Sequence, residues 1–350
     1  MDRRLQALTA WSQAQLGTQN VSVTPVAGDA SFRRYFRVTP NQPDADRTSH
    51  ILMDAPPSHE DCAPFLRIAR YWHQHGIHVP RIEAEDTGQG FLMLEDLGDQ
   101  LFLRHLNEDT ADELYGAALD TLLQIQKLPA QAEECPLPPY DTTLLDREMG
   151  LFRDWFLERL LGLELSDQEH CVLDTTCAFL REAALSQPQV SVHRDYHSRN
   201  LMLLPDGRPG VIDFQDAVEG AITYDLVSLL KDCYILWPAE RRNAWVERYR
   251  QQSLEAGLHR ADPETFLQWF ELMGMQRHLK VAGIFSRLWQ RDGKAGYLQD
   301  IPLTLDYLIE ASAQQPALRA FHDWLTGRIR PALARTDLKP AVTGDGAATT

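Results

Sequence analysis

The sequence is poor in basic charge. Its 350 residues include 34 lysines and arginines against 50 aspartates and glutamates, giving a formal net charge of −16. No cationic surplus exists to displace counterions from a nucleic-acid backbone, so nucleic acid is excluded as the main partner. An acidic total does not exclude anionic ligands at a local site. The five cysteines, Cys62, Cys135, Cys171, Cys177 and Cys233, are scattered, odd in number and form no C-x-x-C pair. They are expected as buried or free thiols in a reducing compartment. Met1-Asp-Arg-Arg-Leu-Gln-Ala-Leu8 is not followed by an apolar h-region, and no apolar run approaches the ~20 residues a membrane helix needs. The expectation is a cytoplasmic protein without a membrane or protein partner.

What is present is ordinary globular sequence, 44% hydrophobic, too long for one typical core and comfortable for two lobes. Residues 3 to 16 carry an amphipathic helical stripe. Residues 21 to 38 read as two strands around a turn at Gly28-Asp29, with a Pro- and Asp-rich loop over 40 to 48 and a third strand at His50–Asp54. Ser58-His-Glu-Asp61 has the form of a capping box, with Glu60 or Asp61 capping a helix that runs to about His75 and closes at Gly76. Two more strands, 81–86 and 90–95, complete a β-β-β-α-β-β order. Beyond Gly98 helical periodicity dominates: 108–128, 143–162, 167–185, 223–236, 239–256, 263–290, 302–313 and 316–329, with Cys135-Pro-Leu-Pro-Pro139 as a loop. The tail from about Arg335 is expected to be disordered. The fold class is therefore α+β: a small antiparallel-sheet N-terminal lobe over 1–97 and a large helical C-terminal lobe over 98–334, followed by the tail 335–350.

Short strands and turns interrupt the helical half at Val192-His-Arg-Asp-Tyr-His-Ser-Arg-Asn-Leu201 and Val211-Ile-Asp-Phe214. Between them, Asp206-Gly207 is a hairpin turn signal that would bring Asn200 and Asp213 side by side. His193-Arg-Asp195-x-x-x-x-Asn200 has the spacing of a kinase catalytic loop. Phosphoryl transfer needs an aspartate to accept a hydrogen bond from the attacking hydroxyl, and Asp195 suits that role. Asn200 and Asp213 offer the oxygen ligands that Mg²⁺ prefers. His193 is expected to brace the backbone of the loop.

These segments resemble the aminoglycoside phosphotransferase (kinase-like) family of small-molecule kinases over most of residues 20 to 330. Ile212-Asp213-Phe214 is similar to its metal-binding segment. Thr223-Tyr-Asp225-Leu-Val-Ser resembles the helix start whose aspartate, here Asp225, braces the catalytic loop. More narrowly, Gly28–Arg37, Met53–Pro57, Asp213–Ala217 and Gln276–Gly283 are similar to the branch that phosphorylates the anomeric hydroxyl of N-acetylmuramate and N-acetylglucosamine in cell-wall recycling. The resemblance implies ATP and Mg²⁺ as cofactors and a small-molecule sugar as acceptor. It also implies a hinge at Leu92-Met-Leu-Glu-Asp-Leu-Gly98, where backbone groups of Glu95 and Leu97 would meet adenine.

One departure stands out. A kinase-like small lobe carries a lysine on its third strand for the α- and β-phosphates, and this chain has no lysine before Lys127. Arg33, Arg34 or Arg37 is the expected substitute, since a guanidinium forks onto two phosphate oxygens. For the acceptor, Gln215 and Asp216 follow the metal aspartate. Gln276, Arg277, His278 and Lys280 interrupt an apolar helix, where Arg277 or Lys280 would suit an acidic lactyl group; an exposed helix face is the other reading. Three rivals keep part of this picture: an aminoglycoside or other amino-alcohol acceptor, a protein kinase, and a nucleotide-binding pseudokinase scaffold. The absence of D-F-G and A-P-E speaks against the second. The intact Asp195, Asn200 and Asp213 speak against the third.

Overall fold

The computed structural model describes residues 2–26, 32–41 and 49–338. The expected turn at Gly28-Asp29, most of the 40–48 loop and most of the tail lie outside the described residues. In chain order the elements are α1 (Arg3–Leu16), β1 (Val21–Pro25), β2 (Arg34–Pro40), β3 (His50–Asp54), α2 (Ala63–Gln74), β4 (Ile82–Asp86) and β5 (Phe91–Glu95). Then come α3 (Phe102–His105), α4 (Ala111–Lys127), β6 (Gln131–Ala132), β7 (Cys135–Pro136), α5 (Thr142–Leu151) and a π-helical segment, Phe152–Leu160. α6 (Asp167–Leu185), β8 (Gln189–Val192), β9 (Leu201–Leu203), β10 (Pro209–Val211), β11 (Val218–Ala221) and α7 (Tyr224–Leu230) follow. The chain closes with α8 (Ala239–Glu255), α9 (Pro263–Asp292), a 3-10 turn at Ala295–Asp300, α10 (Ile301–Ala313), a second at Pro316–Leu318, α11 (Arg319–Trp324), a π turn at Leu325–Ile329 and α12 (Arg330–Arg335).

Contacts divide the chain into two compact units, Met1–Pro138 with His193–Val218, and Pro139–Val192 with Glu219–Thr350. The first is built on an antiparallel five-stranded sheet in the order β1-β2-β3-β5-β4. Alternation decides which side chains meet: Phe36 and Val38 of β2, Leu52 of β3, and Phe91 and Met93 of β5 form one buried cluster with Leu8 of α1. Asp2 caps α1 by accepting from the backbone of Arg4 and Leu5, and Gly17 ends it at φ 65°. The capping box expected before α2 does not form. Cys62 is the N-cap residue without a side-chain bond, Asp61 accepts from the Ala63 N–H, and Glu60 instead accepts from the Phe32 N–H at 3.1 Å.

The second unit is helical around α9, 30 residues long, which packs against α5, the π segment, α6, α7, α8 and α10. Asp262 at its N-cap, Pro263 next, and Gly293 in the left-handed region at its end give it well-defined limits. Gly283 is needed for packing: a Cβ there would lie 2.4 Å from the Leu151 carbonyl carbon. The expected helix 143–162 is thus an α-helix that widens to π after Leu151, where α9 presses closest. α7 ends at Leu230 rather than 236, because Asp232 turns the chain by accepting from the Tyr234 N–H ahead of Pro238. The expected loop at 135–139 begins with the short strand β7, which pairs with β6 just before it.

Candidate active site

The site grows from the hairpin β9–β10. Leu201 pairs with Val211 and Leu203 with Pro209, and Gly207 supplies the positive φ, 81°, that the turn requires. The hairpin is held on both sides within its unit: Leu203 N–H donates to the Gln100 carbonyl and Val211 N–H to the His78 carbonyl. With the strands in register, Asn200 and Asp213 stand at neighbouring ends. Ile212 N–H donates to the Asn200 carbonyl, and Asn200 Nδ2 lies 3.4 Å from Asp213 Oδ2.

The same Asn200 Nδ2 donates to the Asp195 carbonyl at 3.0 Å, as His197 N–H also does. Asp195 is thereby fixed at its backbone and is half-buried. His193 is fully buried. Its Nε2 meets the Ile212 carbonyl at 3.0 Å, and its Nδ1 accepts from the Asp195 N–H at 3.2 Å. A carbonyl only accepts and an N–H only donates, so these partners define the tautomer with the proton on Nε2. One imidazole ties the loop carrying Asp195 to the segment carrying Asp213. Beneath it lie α2 aromatics: Trp72 against His193 and Phe214, and Phe65 against Phe214, with centroids 4.8 to 6.0 Å apart. Tyr196 OH donates to the Ala118 carbonyl of α4, anchoring the loop again.

The two non-glycine residues with positive φ among those described are Arg194, at 78°, and Asp213, at 64°. Both flank the candidate chemistry, and such conformations persist only where surrounding contacts over-determine them. Gln215 Nε2 donates to Asp213 Oδ1 at 2.8 Å and to the exposed Asp216 at 3.3 Å. Asn200 Oδ1 and Asp213 make a hard-oxygen donor pair of the kind Mg²⁺ takes when phosphates complete its shell. Among the described residues no group of three or more His, Cys, Asp or Glu would hold a metal by itself.

The arginines expected at the phosphates have carboxylate partners. Arg34 forks onto fully buried Asp54 and also reaches Asp2, and Arg4 forks onto the other Asp54 oxygen. Arg37 forks onto Asp96 and reaches Asp99; these charges hold its guanidinium well above the usual arginine range and Asp96 below the usual carboxylate range despite burial. Arg33 is half-buried in the run leading into β2. Glu95 gives its N–H to the Arg81 carbonyl, and its carboxylate meets the Arg81 side chain at 3.2 Å. Leu97 lies close to Gly210, where a Cβ would be 2.7 Å from Leu97 Cδ1.

In the helical unit, Asp225 is fully buried in the first turn of α7. Gln276, Arg277, His278 and Lys280 are all buried, so the exposed-face reading fails. Lys280 lies 3.3 Å from Glu148 and donates to Tyr224 OH; Tyr140 OH donates to Glu148, and Gln276 Nε2 donates to Tyr140 OH. Arg277 Nε donates to Ser228 at 2.6 Å. His278 stacks on Tyr307, and burial together with the nearby Lys231 charge holds its pKa down to about 3. Sequence reasoning missed Arg4, Asp54, Glu148 and Tyr140. The available signals were an aspartate ending an apolar strand and a glutamate on the apolar side of α5.

An Asp-Asn loop joined by a hairpin to a second aspartate, beside a five-stranded antiparallel sheet, defines a kinase-like phosphotransferase. A family model for the phosphotransferase enzyme family matches residues 22–263, and the chain belongs to that family. It is an ATP-dependent phosphotransferase. It is 44% identical over 328 residues to the N-acetylmuramate/N-acetylglucosamine kinase of Pseudomonas putida, covering 91% of this chain and 94% of that protein. Identity and coverage are the same for the Pseudomonas aeruginosa protein of that name. Among solved structures, the Plasmodium vivax ethanolamine kinase shares the fold at a TM-score of 0.62 and 10% identity, over 90% of this chain and 88% of that one. No described helix is long and apolar enough to cross a membrane.

Proposed function

We propose that this protein transfers the γ-phosphoryl group of ATP to the anomeric hydroxyl of N-acetylmuramate or N-acetylglucosamine, in the cytoplasm, as a step of cell-wall recycling. The phosphoryl-transfer half rests on the meeting of Asn200 and Asp213 across the β9–β10 hairpin, with Asp195 tied to the same Asn200 amide. The names of the 44%-identical relatives support the acceptor.

Asp195 accepts the hydrogen bond of the sugar hydroxyl, aims its oxygen at the γ-phosphorus and takes the proton as the new P–O bond forms and ADP departs. An anomeric hydroxyl is a suitable acceptor because the ring oxygen makes it more acidic than an ordinary alcohol. Asn200 and Asp213 would hold Mg²⁺, which when bound neutralises charge between the β- and γ-phosphates. His193 supports the loop. Backbone groups between Glu95 and Leu97 would read the adenine edge.

Arg33 and Arg34 are proposed to replace the missing lysine. Arg34 would have to leave Asp2, the more exposed of its two carboxylate partners, to reach a phosphate. Asp216, Arg277 and Lys280 are the candidates on the sugar side, and a lactyl carboxylate would compete with Glu148 for Lys280.

The test is phosphoryl transfer from ATP and Mg²⁺ to N-acetylmuramate, N-acetylglucosamine, glucose and kanamycin, with Asp195→Asn as blank. The expected result is turnover of the N-acetyl sugars to an acid-labile 1-phosphate. Turnover of kanamycin alone would overturn the acceptor. An unchanged KM for ATP in the Arg33→Ala/Arg34→Ala double variant would remove the arginines from the phosphate site.

A further inference from the structure

We infer that Gln215 is a positioning residue for the cation carboxylate, pinning Asp213 so that Oδ2 is the oxygen presented beside Asn200. This rests on reading Asn200 and Asp213 as cation ligands. Gln215 Nε2 stands 2.8 Å from Asp213 Oδ1, while Asn200 Nδ2 stands 3.4 Å from Oδ2 of the same group. Two different amides therefore bracket the two oxygens of one carboxylate. Carboxylates only accept, so each amide must turn its nitrogen inward, and the orientation of both side chains is chemically determined.

The backbone makes the brace necessary. Asp213 sits at φ 64°, outside the strand that precedes it, so the alternation of β10 does not aim its side chain. Something beyond the strand must select the rotamer, and Gln215 is two residues away with its donor already engaged. Nε2 also reaches Asp216 at 3.3 Å, which leaves it committed to carboxylates and not to a sugar hydroxyl. Gln215 Oε1, by contrast, is buried with no hydrogen-bond partner. A buried carbonyl in that state is unfavourable. The side chain tolerates it because turning the amide over would set an oxygen against two carboxylates. Partners one bond removed from a metal ligand fix its direction and tune affinity, and their loss typically weakens metal binding about 10–100-fold.

The experiment uses Mn²⁺ as the probe, titrated into full-length protein with saturating ADP and followed by the paramagnetic resonance signal of free Mn²⁺. Gln215→Met fills the same space without a donor, and Gln215→Ala is the second variant should methionine perturb folding, which the melting curve reports. Both are expected to bind Mn²⁺ about tenfold or more weakly. Their KM for the N-acetyl sugar should stay within about twofold, and kcat should recover as Mg²⁺ is raised. Wild-type Mn²⁺ affinity in both variants overturns the inference, as does a raised sugar KM with unchanged Mn²⁺ binding. Asp213→Asn separates the two levels. If it loses Mn²⁺ while the Gln215 variants retain it, only the positioning role falls. If it keeps Mn²⁺, the ligand reading falls as well, and the inference with it.

Discussion

Replacing His193 by alanine tests the idea that one buried imidazole joins the two halves of the site. The change removes the bond from Nε2 to the Ile212 carbonyl and the one from the Asp195 N–H to Nδ1. Each is worth about 1 kcal/mol net where water reaches the stranded backbone partner. The vacated space lies between Trp72 and Tyr196, whose centroids are 6.0 and 5.7 Å from the imidazole, so a cavity cost is added. The total is about 3–5 kcal/mol. At roughly 2–4 °C per kcal/mol for a unit of this size, Tm should fall by about 10 °C. Activity should fall further than stability explains: a shift of about 1 Å in Asp195 relative to Asp213 costs on the order of 100-fold in kcat. Two further variants divide the effect. His193→Asn keeps an acceptor near the Nδ1 position, and His193→Gln keeps a donor near the Nε2 position. Each should recover part of the lost Tm. The measurements are melting curves and steady-state kinetics at saturating ATP, Mg²⁺ and sugar. A His193→Ala protein within about 1 °C and twofold of wild type would refute the reasoning.

Three further outcomes are expected. Asp54→Asn leaves Arg4 and Arg34 facing one another across a buried amide; their partial exposure moderates the loss to about 2–4 kcal/mol, read by chemical denaturation. Gly283→Ala drives a methyl into the Leu151 backbone and should cost about 1–3 kcal/mol, with an unchanged Tm as the contrary result. His278 is neutral when folded, its pKa held near 3 by burial, whereas the unfolded chain takes up a proton below about 6.5. Stability therefore falls as pH drops from about 6.5 towards 3, by roughly one kcal/mol per unit from this group, and His278→Asn should flatten that part of the pH–Tm curve.

The five strands, their antiparallel order and most helices were legible because each is written locally. Strand alternation marks β2 and β4, short apolar runs mark β3 and β5, Gly17 and Gly293 stop their helices, and Asp206-Gly207 makes the hairpin. The capping box failed because the helix starts only at Ala63, with Cys62 at its N-cap and Asp61 accepting from the Ala63 N–H, while Glu60 accepts from the Phe32 N–H, 28 residues away. The π widening after Leu151 begins beside the close approach of Gly283, a contact more than 130 residues away in sequence. The charged run on α9 was open to two readings because helical periodicity does not reveal that α5, α7 and α10 cover a helix on several sides.

By itself the sequence determined the order of Asp195, Asn200 and Asp213, the turn between them and the absence of an early lysine, since residue identity and short spacing suffice for these. Only the tertiary structure decided the partners: Arg34 with Asp54 across 20 residues, Arg4 with the same carboxylate across 50, Lys280 with Glu148, and Gln215 with Asp213 on a left-handed backbone. The reason is physical. A charge or amide accepts any complementary group within about 3 Å, and which group arrives there is set by packing of the whole unit and not by neighbours in the chain.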